Sequence, residues 1–552
     1  MINRMDWPSV YKHSFDVLII GTGAGGGAVL HALQQSEIGR SQRIAVLERG
    51  TRLPNELQNQ DPMEVMANKR YPMDEKWLTR RGRKFQPALH FNVGGNTKYY
   101  AAALYRFRES DFHERAYADG LSPAWPISYE TLRPYYDQAE ALFQVRGNSG
   151  EDPTDPPGTG NYVAPALAHE EALERTAGHM ASEGWKPLHI PLGVSSTGAA
   201  NWKPENFDPA APCMRCDRCG GHPCRVSAKS DSERLCIDPA LKNENVQLFT
   251  DHQALSLQTD LSGRRVTGAI VETPFGQQLF EAKWVILAAG ASGSALLLQA
   301  SQTDQHPDGI GNQHGLVGAN YMYHIHSLVM VVDDDLPPVT FPKTLAFHHH
   351  YEAPDAGTVE ADTPAGIVQI VGALDRETLA AQAAAYIDPR IIPKSALEVV
   401  GNNNLSFLVS TEDLPLKTNR VSRSLHRGKM TTKLNYRPTN LDAHLGLVEA
   451  FKDRIKAAVS RVKPFDSDWF TANQTFAYSR EIPSDGNAHQ VGTLAMDAAE
   501  QEGVVDADCR VFGMENLYVA DGSVFRSSAA VNPALTIIAN ALRVGDKIKE
   551  RL

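Results

Sequence analysis

The stretch FDVLIIGTGAGGGAVLHALQQSEIGRSQRIAVLE, residues 15–48, decides the fold. FDVLII (15–20) is a short apolar run that stops at glycine, the pattern of a strand buried on both faces of a parallel sheet. GGGAVLHALQQ (25–35) reads as a helix and RIAVLE (43–48) as a second buried strand, so the stretch is one strand–helix–strand unit. Gly21, Gly23 and Gly26 place G-x-G-x-x-G at the strand-to-helix turn. The first glycine permits the tight turn, the second lets backbone approach a pyrophosphate, and the third lets the helix pack close on the sheet. The pyrophosphate then meets the unpaired N–H groups of a helix N-terminus. Glu48 closes the second strand 22 residues past Gly26, where a carboxylate binds ribose hydroxyls. That acid disfavours a 2′-phosphate and hence NADP; the motif alone does not separate FAD from NAD.

Working outward, KWVILAAG (283–290) followed by SGSALLLQAS (292–301) reads as another buried strand and helix, and NLYVADGS (516–523) as a strand running into a turn. One α/β domain assembled from distant segments accommodates all of them. SLVMVVDDD (327–335), GIVQIVGAL (366–374), LSFLVSTED (405–413) and KMTTKLNYR (429–437) read as longer strands, the last alternating as an antiparallel strand with one wet face does. HLGLVEAFKDRIKAAVSRV (444–462) has helical spacing at Leu445, Val448, Phe451, Ile455 and Val459. The fold class is therefore α/β plus α+β: a Rossmann-like dinucleotide-binding domain, with a second domain on an antiparallel sheet flanked by helices. The Pro-, Gly- and Asp-rich segment 149–167 reads as a surface loop.

A chain of 552 residues carrying a net charge of -11 lacks the basic face that nucleic acid requires. The one basic run, KWLTRRGRK (76–84), reads as a solvated loop or a partner contact. There is no run of 18 apolar residues, so no membrane span is expected. The N-terminal stretch MINRMDWPSVYKHSFDVLII has no apolar signal core before the first strand and no twin-arginine pair. The expected location is the cytoplasm, or the periplasm if a signal-bearing partner carries the chain out.

The C-terminal stretch, NAHQVGTLAMD (487–497) through VVDADCRVFGMENLYVADGSVFRSSAAVNPALTIIANALRVGDKI (504–548), carries the chemistry. Physically, Asn532-Pro533 is a helix start, with asparagine as cap and proline in the first turn. Taken singly, His489 is a polar loop residue. The order of segments changes both readings. The glycine motif with Glu48, FNVGGNTKYYAAALYRF (91–107), WPISYETLRPYYDQAE (125–140), VILAAGASGSALLLQAS (285–301), GLVGANYMYHIH (315–326) and the C-terminal stretch follow one another as in the glucose–methanol–choline (GMC) flavoprotein oxidoreductases. The chain resembles that family over almost its whole length, and within it the bacterial sugar and polyol dehydrogenase branch.

The resemblance implies FAD between two domains: an FAD-binding domain of 12–124, 211–326 and 486–552, and a substrate domain of 125–210 and 327–485. It implies oxidation of an alcohol of a sugar, glycoside or polyol, with His489 as base and Asn532 as its partner on the same oxygen. Neutral imidazole is suited to the proton and a carboxamide to a developing alkoxide. It places Gly94, Gly95, Asn96 and Thr97 against the flavin ring, Asp521 and Gly522 at a second flavin contact, and the helix that Pro533 opens near the ring. Members that tether FAD use a histidine just after the 94–97 segment; Lys98, Tyr99 and Tyr100 stand here, so non-covalent FAD is expected. The acceptor is expected to be something other than NAD. Competing readings are an oxygen-using oxidase of the same fold, a redox flavoprotein without an alcohol substrate, and an NAD-binding module.

Four of six cysteines fall in CMRCDRCGGHPC: Cys213, Cys216, Cys219 and Cys224. The spacing resembles a ferredoxin-type run with a longer last gap, and His222 could replace a cysteine. Iron–sulfur, structural thiols or disulfides, and zinc are the three readings, the first implied also by sugar dehydrogenases of the resembling branch. Cys236 is a candidate fifth member, and Cys509 reads as packing. An iron–sulfur centre leaves room for a small partner subunit or an electron-acceptor protein beside the small-molecule substrate. His348, His349 and His350 read as a solvated edge. His324 and His326 share one strand face near the flavin or the substrate channel, without an assigned catalytic role.

Overall fold

The computed structural model describes residues 12–552 apart from 72–74, 157–161, 196–212, 334–335, 338, 342, 349–350, 352–365, 373, 385–399, 402, 461–474 and 484–485. The apolar runs of the first stretch form the centre of a parallel sheet. Strand Lys12–Ile20 pairs with Ile44–Leu47 on one side and with Gly276–Leu287 on the other, Val17 standing opposite Ile44 and Trp284. Val246–Phe249 extends the sheet beyond Ile44–Leu47. Every residue of Ile44–Leu47 is buried, which is why the run shows no polar alternation.

The long strand Gly276–Leu287 forks. Its first half pairs antiparallel with Val266–Thr273, while its last three residues pair in parallel with Leu517–Val519. Ile20, Leu287 and Val519 therefore end side by side, and the turns that follow them gather at one edge, where α/β sheets bind ligands. Helix Ala24–Gln34 leaves the first turn, Gly290–Ala300 the second, and Ala534–Lys549 packs back on Ala24–Gln34. A Cβ at Gly545 would stand 2.5 Å from that of Ala32, so glycine allows this helix pair to close.

The second sheet is antiparallel and six-stranded, in the order Phe476–Glu481, Ile325–Val332, Asn404–Thr411, Gly366–Gly372, Leu345–Phe347, Pro187–His189. Helix Leu441–Ser460 packs on it. Its buried face carries His444 and Leu447 in place of Leu445, which is 43% exposed. His444 is accepted in the interior because both ring nitrogens are bonded, to the Ser327 and Thr411 hydroxyls at 2.8 Å. Among the described residues no helix is long and apolar enough to cross a membrane.

Four sequence expectations are corrected. KMTTKLNYR does not join the six-stranded sheet; Lys429–Asn435 forms a hairpin with Arg420–His426 and pairs in parallel with Trp77–Thr79. The basic run is thereby a strand hairpin anchored by buried Trp77 and Leu78, with Lys76 and Arg80 through Lys84 in solvent. In the 149–167 loop, Asp152 is buried, accepting from Arg108 and pairing with His348. His348 is itself fully buried rather than on a solvated edge: its Nδ1 meets the Asp152 carboxylate and the Arg108 guanidinium, while its Nε2 has no partner among the described residues; His349 and His350 lie outside the described residues.

Candidate active site

At Gly21 φ is +110°, and a Cβ would overlap the Ala288 carbonyl, so the first turn requires glycine. Gly23 differs: nothing lies within 4 Å of where its Cβ would stand. Its backbone faces open space at the start of helix Ala24–Gln34, the cradle that a pyrophosphate fills. Gly26 backs onto the Gly21 carbonyl, giving the close helix-on-strand packing. Gly25, outside the motif, is also tight: a Cβ there would overlap the Ala520 carbonyl.

Glu48 is buried at the end of its strand, accepting from the Thr22 hydroxyl and from the Gly50 N–H at 2.9 Å. Burial pushes its carboxyl pKa up and these hydrogen bonds oppose the rise. Thr22 Oγ1 also accepts from the Gly94 N–H at 3.1 Å, and a Cβ at Gly95 would stand 3.1 Å from Gly23 Cα. The Gly94–Gly95 turn thus lies across the cradle. Asn96 faces His90, with Oδ1 at 3.1 Å from Nδ1. Thr97 braces the turn from behind, donating to the Gly94 carbonyl at 2.5 Å and accepting from the Ser232 N–H at 3.0 Å.

Asp521 is spent on its own turn. Its carboxylate accepts from the Ser294 hydroxyl at 2.5 Å and from the Ser523 N–H at 2.9 Å. The Gly522 carbonyl accepts from the Gly492 N–H at 3.0 Å, tying this turn to the segment that carries His489.

That segment runs antiparallel to the one before Ile325–Val332, with Met322 bridged to Val491. Asn487 clamps the two, donating to the His324 carbonyl at 2.8 Å and accepting from the His489 N–H at 3.0 Å. His489 Nδ1 then lies 2.8 Å from His324 Nδ1, and His324 Nε2 lies 2.9 Å from the Ser528 carbonyl oxygen. The His326 ring stands 5.0 Å from that of His489, and its Nε2 is buried without a partner among the described residues. His489 Nε2 makes no hydrogen bond among the described residues and is not among the buried atoms: it stays accessible. Burial, then the neighbouring imidazole, holds His489 well below the ordinary histidine range, and burial takes His324 down to about 4.

A stability prediction follows from these depressed histidines. His324 and His444, both held at about 4 by burial, stay neutral in the fold while the unfolded chain protonates them near 6.5. Between those values the unfolded state binds more protons, so stability falls with pH by about 1.4 kcal/mol per unit for each imidazole. The loss begins below about 6.5 and levels near 4. Thermal melts at stepwise lower pH will show it; an unchanged midpoint from neutral to pH 5 would contradict it.

Asn532 is not a helix cap. The helix begins at Ala534, Pro533 occupies the capping position, and no side-chain cap bond forms. The Asn532 carboxamide oxygen is buried without a partner among the described residues, and its nitrogen makes no bond and remains accessible. An unspent carboxamide four residues past Ser528, which holds His324, is a group kept for a ligand.

Cys213, Cys216, Cys219 and Cys224 line one cavity together with Lys229, and all four are free thiols. His222 is not among the lining residues; its Nδ1 bonds the Asn59 carbonyl at 2.9 Å. Cys236 is buried elsewhere, against Gly27. Cys509 is buried in a turn with φ +63°, where Arg543 donates to its sulfur at 3.4 Å. Among the described residues, the one group of three or more metal-ligating side chains with donor atoms within 4.8 Å is His324, His326 and His489. The cysteine sulfurs are therefore set wider than the coordination sphere of a single zinc. The Lys229 ammonium donates to the carbonyls of Cys219 (2.9 Å), His222 (2.8 Å) and Tyr100 (2.9 Å), joining the cysteine loop to the chain just past Gly94–Thr97.

Sequence reasoning left His324 without a role. The signal available was the pair on one face in YHIH; its partner His489 lies 165 residues away.

Residues 91–326 and 415–541 match two family models, each described as GMC oxidoreductase. The chain is 29% identical to 6'''-hydroxyparomomycin C oxidase of Streptomyces lividus, over 99% of this chain and 93% of that one. It is 27% identical to 2-methyl-1,2-propanediol dehydrogenase of Mycolicibacterium austroafricanum, over 97% of this chain and 95% of that one. The formate oxidase of Aspergillus oryzae RIB40 shares the fold, with TM-score 0.63 at 16% identity over 99% of both chains.

Proposed function

The chain belongs to the GMC oxidoreductase family, and from that premise we propose that it oxidises an alcohol of a sugar, glycoside or polyol to the carbonyl at His489. It is an oxidoreductase acting on CH–OH groups, with FAD as cofactor. Gly21, Gly23, Gly26 and Glu48 would hold the dinucleotide half, and Gly94 and Gly95 would close over it, since the open face at Gly23 is the space such a group needs. Bound FAD supplies the two-electron acceptor for the hydride leaving the carbinol carbon. His489 Nε2 takes the hydroxyl proton, and the Asn532 carboxamide N–H steadies the oxygen it leaves. The observation that carries this reading is the accessible Nε2 of a neutral imidazole held through His324 to the Ser528 carbonyl, with the unspent Asn532 carboxamide four residues further along the chain. Both similar proteins above are named for hydroxyl-bearing compounds, one an aminoglycoside. Anaerobic mixing with aminoglycosides, free sugars and short polyols tests the reading: one of these classes bleaches the flavin absorption. If none does, while dithionite bleaches it fully, the substrate class is wrong.

FAD is held without a covalent tether. Positions 98–100, just past Gly94–Thr97, hold no histidine; Lys98 is paired with Asp231 at 3.1 Å and Tyr100 donates to the Ser230 carbonyl. Acid precipitation therefore releases the flavin into the supernatant.

Cys213, Cys216, Cys219 and Cys224 would hold an iron–sulfur cluster, which would supply a one-electron path to an acceptor other than NAD, a protein or a small partner subunit. Four free thiols around one space wider than a zinc sphere support it. Purified protein is expected to contain iron and sulfide, and Cys219→Ser to lose both while keeping its flavin absorption. Iron-free protein would remove the cluster. The oxidase name of the 29% relative favours oxygen instead. Rapid mixing of the reduced protein with oxygen separates the two: fast reoxidation would sink the dehydrogenase reading.

A further inference from the structure

We infer that His324 is a positioning residue that fixes the ring proton of His489 on Nδ1 and leaves Nε2 bare toward the substrate hydroxyl; this rests on the reading of His489 as the base. The Ser528 carbonyl oxygen can only accept, so His324 Nε2, 2.9 Å away, carries a hydrogen. A neutral imidazole has one N–H, so His324 Nδ1 is bare. It faces His489 Nδ1 at 2.8 Å, and two bare nitrogens at that distance would repel with no bond between them. His489 Nδ1 must donate, and its lone pair is then on Nε2, the accessible nitrogen. The proton released by the alcohol has one place to land on this ring.

Neutrality of His324 is the premise to check. The titratable groups facing the pair are other imidazoles: His326, 5.6 Å from His324 ring to ring, and His444 behind His326. Among the described residues no carboxylate acts on His324 or His489, and burial keeps His324 uncharged down to about 4. Geometry leaves the pair little freedom, since Asn487 bonds the backbone of both residues.

His324→Leu removes the acceptor and lets His489 take either tautomer; His324→Asn restores an acceptor where Nδ1 stood. In the FAD-loaded protein, His324→Leu is expected to slow flavin reduction roughly a hundredfold or more at saturating substrate, with KM changed little, because a wrong tautomer disables a base without removing a binding contact. His324→Asn is expected to recover most of that loss. An independent readout uses protein with ¹⁵N-labelled imidazoles, the His489 signals identified by their loss in His489→Ala. Wild type is expected to show Nδ1 protonated and Nε2 bare, and His324→Leu a shift toward the other tautomer. If His489→Ala reduces its flavin normally, the underlying reading of His489 falls. If His489→Ala is inactive but His324→Leu reacts at the wild-type rate, or wild-type His489 carries its proton on Nε2, the inference about His324 falls alone. Should His324→Leu fail to fold, the wild-type nitrogen spectrum decides.

Discussion

Replacing His489 with alanine is expected to slow flavin reduction by the alcohol roughly 10²–10⁴-fold while FAD stays bound. The range is that of a general base in a hydride transfer, because an alcohol that keeps its proton must lose hydride from its carbon without the push of an alkoxide, leaving a protonated carbonyl. Bound FAD should be unaffected, since the groups around the cradle belong to Gly21–Gly26, Glu48 and Gly94–Thr97, none of which bonds His489. Stopped-flow bleaching of the flavin under anaerobic conditions reads the loss directly, and the absorption spectrum reads occupancy. Asn532→Ala, removing a donor to the same oxygen, is expected to cost about 10²–10³-fold. Because both act on one proton transfer, the double variant should be far less impaired than the product of the two losses.

Gly25→Ala is the second large effect, and it falls on the cofactor. A single methyl at this position would overlap the Ala520 carbonyl, backbone against backbone, with no flexible side chain to yield. Overpacking of this kind costs about 1–3 kcal/mol when neighbours can move, and here the neighbour is the turn that leads into Asp521 and Gly522. The variant is expected to purify with little or no flavin and to melt several degrees lower. Gly23→Ala, whose Cβ would meet nothing within 4 Å, is expected to fold normally and to weaken FAD alone. Flavin-to-protein absorbance ratios and melting curves of the two variants make the comparison; a Gly25→Ala protein with full flavin and an unchanged melt would contradict the packing argument.

The contrast between those glycines shows what was legible in the sequence. Gly21, Gly23 and Gly26 are readable because their duties are local: one turn, one ligand, one helix. Gly25 is constrained by a carbonyl almost five hundred residues downstream, and no local pattern reports it. The parallel strands were readable from their apolar runs, and the forked pairing of Gly276–Leu287 was not. KMTTKLNYR displayed the alternation of a half-wet strand, which says nothing about which sheet it joins. His348 looked solvated because histidine runs usually are; Asp152 and Arg108, far away in sequence, make burial tolerable. At the candidate site, His489 and Asn532 emerged only through resemblance to a family, since residue by residue the asparagine looked like a cap. The structure frees that carboxamide from capping, and adds His324 by a hydrogen bond no spacing rule could suggest.

The fork in Gly276–Leu287 also dictates when, during synthesis, the molecule can be finished. Asn516 donates to the Lys283 carbonyl across 233 residues of sequence, and only after Leu517–Val519 has paired does the Ala520 turn close against Gly25. A nascent chain emerging from the ribosome holds its dinucleotide loop early, but lacks the piece that seals it until Ala520, almost five hundred residues after Gly25, has been added. Flavin capture is therefore expected to wait for that segment, and chains stalled or clipped near residue 515 are expected to retain most of both sheets while remaining colourless.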